Sequence, residues 1–168
     1  MSASSINAAN AGGALEPADT QQFLTFELAG QEYGVGILAV QEIRGWSSVT
    51  KVPHTPHWLL GVINLRGVVV PIIDLRLKFK FAKAEYTDTT VVIILTVATR
   101  VVGVVVDGVS DVITLAAAQI KPAPTFGNDA DTRHIIGFGT LDDRMRILMD
   151  VEKLMAGADM GLVEKAIH

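Results

Sequence analysis

The chain has 168 residues, about half of them hydrophobic, and a formal net charge of −4. This length can bury a real core as one domain or as two small lobes. The acidic balance disfavours nucleic acid and anionic membrane surfaces as partners, since both require a concentrated basic surface. The absence of cysteine excludes disulfides and thiol chemistry. No apolar run approaches the roughly 18–20 residues of a membrane span, and no signal-peptide pattern opens the chain, so we expect a cytoplasmic protein.

The first structured segment is expected after an N-terminal tail. Residues 1–20 are mainly Ala, Ser, Asn and Gly, which predicts a flexible tail. Alternation then places Leu24, Phe26 and Leu28 on one face of a half-buried strand. A turn at Ala29-Gly30 returns the chain through a second strand to Ile37. Residues 38–43 are predicted to form a single helical turn packed by Val40 and Ile43.

The middle of the chain predicts two hairpins joined by a mixed-charge connector over residues 78–88. Leu59–Leu65 and Val68–Ile73 form the first, around a tight turn at Arg66-Gly67. Val91–Val97 and Val101–Val106 form the second. These two runs are almost continuously apolar, which indicates burial on both faces, as when one lobe packs against another.

The last third predicts one more hairpin and a short helix. Thr114 is a candidate cap of a short turn, and residues 126–132 are expected to be mobile. Ile135–Thr140 and Arg144–Met149 pair around Asp142-Asp143. Asp150 then caps a helix that presents Val151, Leu154 and Met155 and stops at Gly157, and Asp159 is a candidate cap for a final turn. We therefore expect a domain over residues 21–156 and a short helix or tail over 157–168.

Two segments of the chain occur twice. Residues 23–43 recur as 92–112, with the turn Ala29-Gly30 matched by Ala98-Thr99 and Gly34 by Gly103. Residues 61–75 recur as 137–151 with identical internal spacing. Because internal repeats fix an architecture, we predict an all-β fold of two similar barrel-like lobes that arose by duplication, with short C-terminal helices.

The sequence offers little catalytic chemistry. His54 and His57 could share a metal, but no third ligand is suitably spaced, and a proline-bracketed loop favours solvent-facing histidines. Asp107 and Asp111 could act as an acid–base pair, although their position around Gly108 favours local turn hydrogen bonds. The chain contains no phosphate loop, nucleophile elbow or thiol nucleophile. We predict a binding protein without cofactor or metal, and not an enzyme.

Positions at which the two copies differ are the candidate functional residues. Arg66 at the first hairpin tip becomes Asp142 in the second copy, and an arginine on a rigid turn is a typical interface anchor. The alternative is an arginine that only solubilises the turn. Glu42 beside Val40 resembles the polar rim of an interface, with a solvated surface glutamate as the alternative. Gly61 indicates close backbone approach or a bulge, and its copy at Gly137 favours a structural role.

A set of short motifs is specific in combination, although each one alone is weak. The stretches are Val40-Gln-Glu-Ile-Arg44, Val52-Pro53, Gly61-Val-Ile-Asn-Leu-Arg-Gly67, Pro71-Ile-Ile-Asp-Leu-Arg76, Val101-Val-Gly-Val-Val-Val-Asp-Gly-Val-Ser-Asp111, Ile120-Lys-Pro-Ala-Pro124 and Asp143-Arg-Met-Arg-Ile-Leu148. Together they resemble the chemotaxis coupling protein family CheW over about Phe23 to Leu154. The resemblance implies two five-stranded barrels related to SH3 domains. It also implies a non-enzymatic adaptor that joins methyl-accepting chemoreceptors to the histidine kinase CheA, whose regulatory domain is similar to this fold.

The resemblance further implies a set of partner-binding residues, undivided between receptor and kinase. An apolar groove between the lobes, lined by Val and Ile of the short turn and the second hairpin, is expected to take the receptor's hairpin tip. A barrel edge would meet the kinase domain, with recruitment to membrane receptor arrays, weak self-association there, and no membrane insertion. The implied residues are Val40, Glu42, Gly61, Arg66, Gly67 and Val112.

Two alternatives to the adaptor remain open from the sequence. The first is the regulatory part of a CheA-like kinase, which would require an ATP-binding domain and a phosphorylated histidine domain upstream, and we expect this chain to have room for neither. The second is a β-barrel that binds a small molecule or an oligonucleotide. The acidic balance and the few aromatic residues disfavour nucleic acid.

Overall fold

The computed structural model describes residues 20–81, 84–123 and 134–155, which are mainly β-strand. Two short α-helices follow the last strand of each copy: α1 (Leu75–Lys78) and α2 (Val151–Met155). The strands are β1 (Thr20–Leu28), β2 (Gln31–Gly36), β3 (Val40–Gly45), β4 (Leu59–Leu65), β5 (Val68–Asp74), β6 (Val91–Val97), β7 (Arg100–Val106), β8 (Gly108–Ala116), β9 (Ile120–Pro122), β10 (Ile135–Leu141) and β11 (Arg144–Met149).

The strands form two sheets, each the wall of one lobe. The five-stranded lobe has the order β3-β6-β7-β5-β4, and the six-stranded lobe has the order β8-β1-β2-β11-β10-β9. The two copies have therefore exchanged hairpins: β1–β2 of the first copy lies among strands of the second, and β6–β7 does the reverse. Each exchanged hairpin is joined to its host sheet by a parallel pair, β2–β11 or β7–β5. The predicted all-β fold of two lobes is confirmed.

The strand registers of the two copies agree closely. A register shift between Val40 and Glu42 in β3 recurs between Val109 and Asp111 in β8. A second shift, beside Gly61 in β4, recurs beside Gly137 in β10. In the five-stranded lobe, an isolated bridge between Thr50 and Val62 lies at the position that the β9–β10 pairing has in the six-stranded lobe. The pairing is long enough to form a strand only in the six-stranded lobe.

The largest apolar core lies between the lobes. It receives Leu24, Phe26 and Leu28 from β1, and Ile93 and Leu95 from β6. The opposite faces of the same strands fill the separate core of each lobe, and this accounts for the near-continuous apolar character of β6. Burial of β6 on both faces is thus confirmed, whereas β1 is buried on both faces instead of one.

Two local predictions were wrong. The predicted helical turn over residues 38–43 is a 3₁₀ turn at Ile37–Ala39 followed directly by β3. Pairing of β3 with β6 supplies backbone partners that a single helical turn lacks, and its β-branched residues suit a strand. Thr114 caps nothing, because it lies within β8 opposite Gln22.

The predicted hairpin turns and the helix cap are confirmed. Arg66 and Gly67 both have positive φ, at 52° and 89°, as do Asp142 and Asp143, which suits tight two-residue turns. The Asp150 Oδ1 atom accepts a hydrogen bond from the Lys153 backbone N–H at the start of α2. The predicted tail up to residue 19, the segment 126–132 and the chain from Gly157, with the candidate cap Asp159, lie outside the described residues.

Candidate protein-interaction site

The duplication creates two equivalent clefts where the lobes meet. In one, which we call the closed cleft, Asp74 and Arg76 at the start of α1 face the junction between β7 and β8. In the other, the open groove, the equivalent positions at the start of α2 face the junction between β2 and β3. Residues that match by repeat position therefore differ sharply in chemistry: Asp107 in the closed cleft corresponds to Leu38 in the open groove.

Arg76 fills the closed cleft with a buried hydrogen-bond network. Its Nε and Nη2 atoms donate to the two carboxylate oxygens of Asp74, each at 2.9 Å. Its Nη1 atom donates to Asp107 Oδ1 at 2.8 Å and to the Glu85 carbonyl at 2.6 Å. Asp107 Oδ2 accepts the Ala29 backbone N–H at 2.8 Å. The network thus reaches from α1 to the β1–β2 turn of the other lobe.

Electrostatics raise the pKa of two members of this network, Arg76 and Tyr86. Burial disfavours the charged form of Arg76, but hydrogen bonds and charges from Asp74 and Asp107 outweigh it and raise the guanidinium pKa. Burial and the hydrogen bond to Asp74 raise the pKa of Tyr86 to about 12, so the phenol donates to Asp74 Oδ2 at 2.6 Å. Tyr86 also lies beneath the Arg76 guanidinium and stacks on Trp46. The closed cleft is therefore sealed by polar and aromatic side chains.

Among the described residues none fills the open groove in this way, and its volume is about 370 Å³. Its floor is apolar and buried, and Leu38, at 98% exposure, stands at its side. The described charged residues that line it, Asp150 and Glu152, are both acidic. The floor consists of Phe23, Val97, Met149 and Val151.

The expected groove between the lobes exists and Val97 of the second predicted hairpin lines it, but most of its other lining residues were not predicted. Leu38 and Ala39 of the 3₁₀ turn contribute, as do Thr96 and Ala98 from the end of the β6–β7 hairpin. Val40 is half-buried against the interlobe core and lies outside the lining. Leu38 was missed because the predicted helical turn over residues 38–43 was considered only for packing by Val40 and Ile43, and Leu38 was given no role.

A second candidate surface lies at one end of the five-stranded lobe. Here Arg66 donates a hydrogen bond to Glu42, so the structure joins two residues that the sequence singled out separately. The Asn64 carboxamide oxygen accepts the Gly67 N–H at 2.8 Å and fixes the turn that carries Arg66. Ile43 follows Glu42 along β3, and Val68 and Val69 follow the turn at the start of β5; all three side chains are apolar and exposed. We call this group the five-stranded lobe end.

The remaining predicted residues fall elsewhere. Gly61 is buried, and a Cβ atom there would lie 2.3 Å from the Thr50 carbonyl oxygen, so its role is in backbone packing. Val112 is exposed on β8 of the other lobe, at the repeat position of Ile43. Exposed Met145 matches Val69 in the same way. Both lobe ends therefore carry apolar side chains, but the predicted residues do not form one cluster.

Other polar groups were misjudged or missed from the sequence. Asp107 was interpreted as a local turn residue, yet its carboxylate bonds to Arg76 and Ala29, which are 31 and 78 positions away. Arg146 is buried where the first copy has Val70, and Glu32 lies 3.2 Å from its Nε atom. Both arginines occupy positions at which the copies differ in charge, a signal that could have found them.

The structure adds little that points to a metal or a membrane. His54 and His57 are both exposed in their loop. Within the described ranges, no three His, Asp or Glu side chains group as metal ligands would. Among those same residues, no helix is long and apolar enough to cross a bilayer.

Comparison with known proteins gives the family. The family model for the CheW-like domain matches residues 22–159. A chemotaxis protein CheW of Klebsiella aerogenes is 54% identical over 144 residues, covering 86% of this chain and 87% of the relative. A probable chemotaxis protein CheW of Rhizobium etli is 40% identical over 136 residues, covering 81% of this chain and 88% of that protein.

A solved structure shows the same fold. The scaffolding protein TtCheW from Thermoanaerobacter tengcongensis superimposes with a TM-score of 0.76 at 32% sequence identity. The match covers 83% of this chain and 94% of that chain. Sequence motifs, the duplicated lobes and these matches agree, and the chain belongs to the CheW-like domain family.

Proposed function

We propose that this chain is a non-enzymatic, cytoplasmic adaptor of bacterial chemotaxis signalling that couples methyl-accepting chemoreceptors to the histidine kinase CheA. The carrying observation is the open groove, where the described part of the chain leaves an apolar floor and the Leu38 side chain exposed while it seals the equivalent cleft. Exposed apolar surface bordered by polar groups is typical of a protein-binding site. Family membership supports the same role.

We assign the open groove to the receptor. A receptor's cytoplasmic tip is a helical hairpin, and an amphipathic helix docks by laying its apolar face into an apolar groove. The floor residues are already buried against the core, so the groove is preformed and little ordering is needed on binding. Asp150 and Glu152 at its rim favour a helix that carries a basic residue beside its apolar face.

We assign the five-stranded lobe end to the regulatory domain of the kinase. Its exposed Val68, Val69 and Ile43 offer apolar contact, and the Arg66–Glu42 pair offers hydrogen-bonding groups at the edge. The equivalent end of the other lobe, with Val112 and Met145, would serve a second kinase domain or a second copy of this chain. Single micromolar contacts correspond to only about −8 kcal/mol, so an array gains strength from many simultaneous contacts.

The direct test is reconstitution. The purified protein is mixed with CheA and a receptor fragment, and kinase activity is measured with and without receptor ligand. We expect the kinase to respond to the receptor only when the protein is present. A kinase that responds equally without it, or that never responds despite stoichiometric protein, would contradict the adaptor function.

Leu38→Glu and Val69→Glu form a reciprocal pair of variants that separates the two surfaces. Both side chains are exposed, so neither change should alter the free energy of unfolding by more than about 0.5 kcal/mol. We expect Leu38→Glu to weaken receptor-fragment binding at least about tenfold, the cost of losing one well-placed interface contact, and to leave kinase binding intact. Val69→Glu should do the opposite. Equal loss of both partners in either variant would refute the assignment.

Arg66→Asp tests the ion pair at the five-stranded lobe end. The arginine side chain is 66% exposed, and aspartate already occupies the matching positive-φ position at Asp142, so folding should change by less than about 1 kcal/mol. Placing a second carboxylate beside Glu42 should weaken kinase binding. Lys80→Asp is a matched control, because Lys80 is also exposed with positive φ and lies outside the lobe end. Isothermal titration with the kinase domain measures both, and equal affinities would remove Arg66 from the interface.

A further inference from the structure

We infer that Asp107 is a positioning residue that fixes how the two lobes sit against each other, and through this sets the width of the open groove. The part that concerns the groove rests on the proposed function, whereas the part that concerns the lobes does not. Asp107 lies at the single-residue junction between β7 of the five-stranded lobe and β8 of the six-stranded lobe. Its carboxylate is the place where hydrogen bonds from both lobes converge.

Each oxygen of this carboxylate serves a different lobe. Oδ1 accepts from Arg76 Nη1, which α1 holds beside the five-stranded lobe, and Oδ2 accepts from the Ala29 backbone in the β1–β2 turn of the six-stranded lobe. Arg76 is in turn rigid, because Asp74 and the Glu85 carbonyl occupy its other donors. A carboxylate with two fixed donors on opposite sides restrains both position and orientation.

Within the ranges that the structure describes, no equivalent restraint crosses the open groove. Leu38 stands at the repeat position of Asp107, is apolar and is 98% exposed, so it accepts nothing from Ala98, the counterpart of Ala29. Glu152, the counterpart of Arg76, is exposed as well. Groove-floor residues such as Val97 and Val151 share the interlobe core with Leu75, which precedes Arg76, so we expect a rocking motion that opens the closed cleft to narrow the open groove. The restraint in one cleft therefore controls the shape of the other.

Removal of the Asp107 side chain does not leave the buried Arg76 guanidinium unpaired. The Asp107 side chain is 34% exposed, and Arg76 keeps its bidentate pairing with Asp74 and its hydrogen bond to the Glu85 carbonyl. The backbone bond from the Asp107 N–H to the Glu27 carbonyl also remains. Asp107→Ala should therefore loosen the lobes while each lobe stays folded.

The test measures the distance between lobes directly. The chain has no cysteine, so Ser48→Cys in the loop after β3 and Ser110→Cys in β8 give one spin label on each lobe. Both serines are exposed. We expect Asp107→Ala to broaden or shift the electron-paramagnetic distance distribution, whereas Asp88→Ala, which removes an exposed carboxylate nearby, leaves it unchanged. An unchanged distribution in Asp107→Ala would overturn the inference.

A conservative variant and a binding measurement complete the design. Asp107→Asn keeps the side-chain shape and one acceptor oxygen, so its distance distribution should be intermediate in width. If Asp107→Ala does not fold, the distribution of Asp107→Asn tests the positioning role instead.

Receptor-fragment affinity should fall at least about fivefold in Asp107→Ala, the lower range of a coupling between sites, while kinase-domain affinity at the five-stranded lobe end stays constant. A changed distribution with unchanged receptor affinity would refute control of the groove. If the unsubstituted protein binds no receptor fragment, the proposed function fails, and the distance measurement alone decides the positioning role.

Discussion

Arg76→Met is expected to lower the free energy of unfolding by about 3–5 kcal/mol, the usual cost of breaking a buried ion pair from one side. The substitution preserves most of the apolar volume but leaves the fully buried Asp74 carboxylate without its cation. Tyr86 and the backbone N–H of residue 76 would still donate to Asp74, yet neither carries charge. Urea denaturation followed by circular dichroism at neutral pH measures the change.

Two further variants identify the cause of this loss. Arg144→Met removes the same side chain from an exposed ion pair with Glu32, for which we expect a cost of at most about 1 kcal/mol. Asp74→Asn combined with Arg76→Met removes both buried charges, so the double variant should recover part of the stability lost in Arg76→Met. If the double variant is less stable than Arg76→Met by the full cost of a second independent change, the loss is not due to the unpaired carboxylate.

The strands of the hairpins could be predicted from the sequence, but β3, β8, β9 and the long-range strand partners could not. Alternation and turn chemistry located the hairpins at Arg66-Gly67 and Asp142-Asp143 to within one residue at the ends of their strands. The repeat also matched Gly34 with Gly103. It could not show that the β1–β2 and β6–β7 hairpins are exchanged, because either copy can complete either sheet with the same local pattern. Only the long-range pairs, such as Leu148 with Gly34, distinguish the two arrangements.

The candidate site was predictable where the copies differ at a hairpin tip and not where they differ in a cleft. Arg66 stands out against Asp142 because both lie on recognisable turns. Arg76 differs from its counterpart Glu152 just as clearly, but its role depends on Asp107, 31 residues away and across the lobe junction. Local reasoning assigned Asp107 to a turn, since a carboxylate next to glycine commonly bonds to its own loop. Long-range polar partners of this kind depend on the tertiary structure and cannot be predicted from local sequence patterns.

Replacement by alanine should be more damaging at Gly61 than at Gly36, Gly67 or Gly137. A Cβ atom there would lie 2.3 Å from the Thr50 carbonyl oxygen and 2.9 Å from Val49 Cγ2, and the residue has a φ of +153°. Overpacking against backbone and an unfavourable φ each cost about 1–3 kcal/mol, so Gly61→Ala should lower the free energy of unfolding by about 2 kcal/mol or more. Its effect on partner binding would then arise from misfolding of the Thr50 loop.

Three other glycines separate the two contributions. Gly137→Ala meets the Lys121 carbonyl at 2.3 Å without the unusual φ, Gly67→Ala has a φ of +89° but open space, and Gly36→Ala has neither problem. Stability should therefore decrease from Gly36→Ala, which is near neutral, through the two intermediate variants to Gly61→Ala. Melting temperatures of the four proteins give this order. A Gly61→Ala protein as stable as Gly36→Ala would show that the Thr50 loop moves aside freely. Any loss of partner affinity in that stable variant would then report a contact made by Gly61 itself.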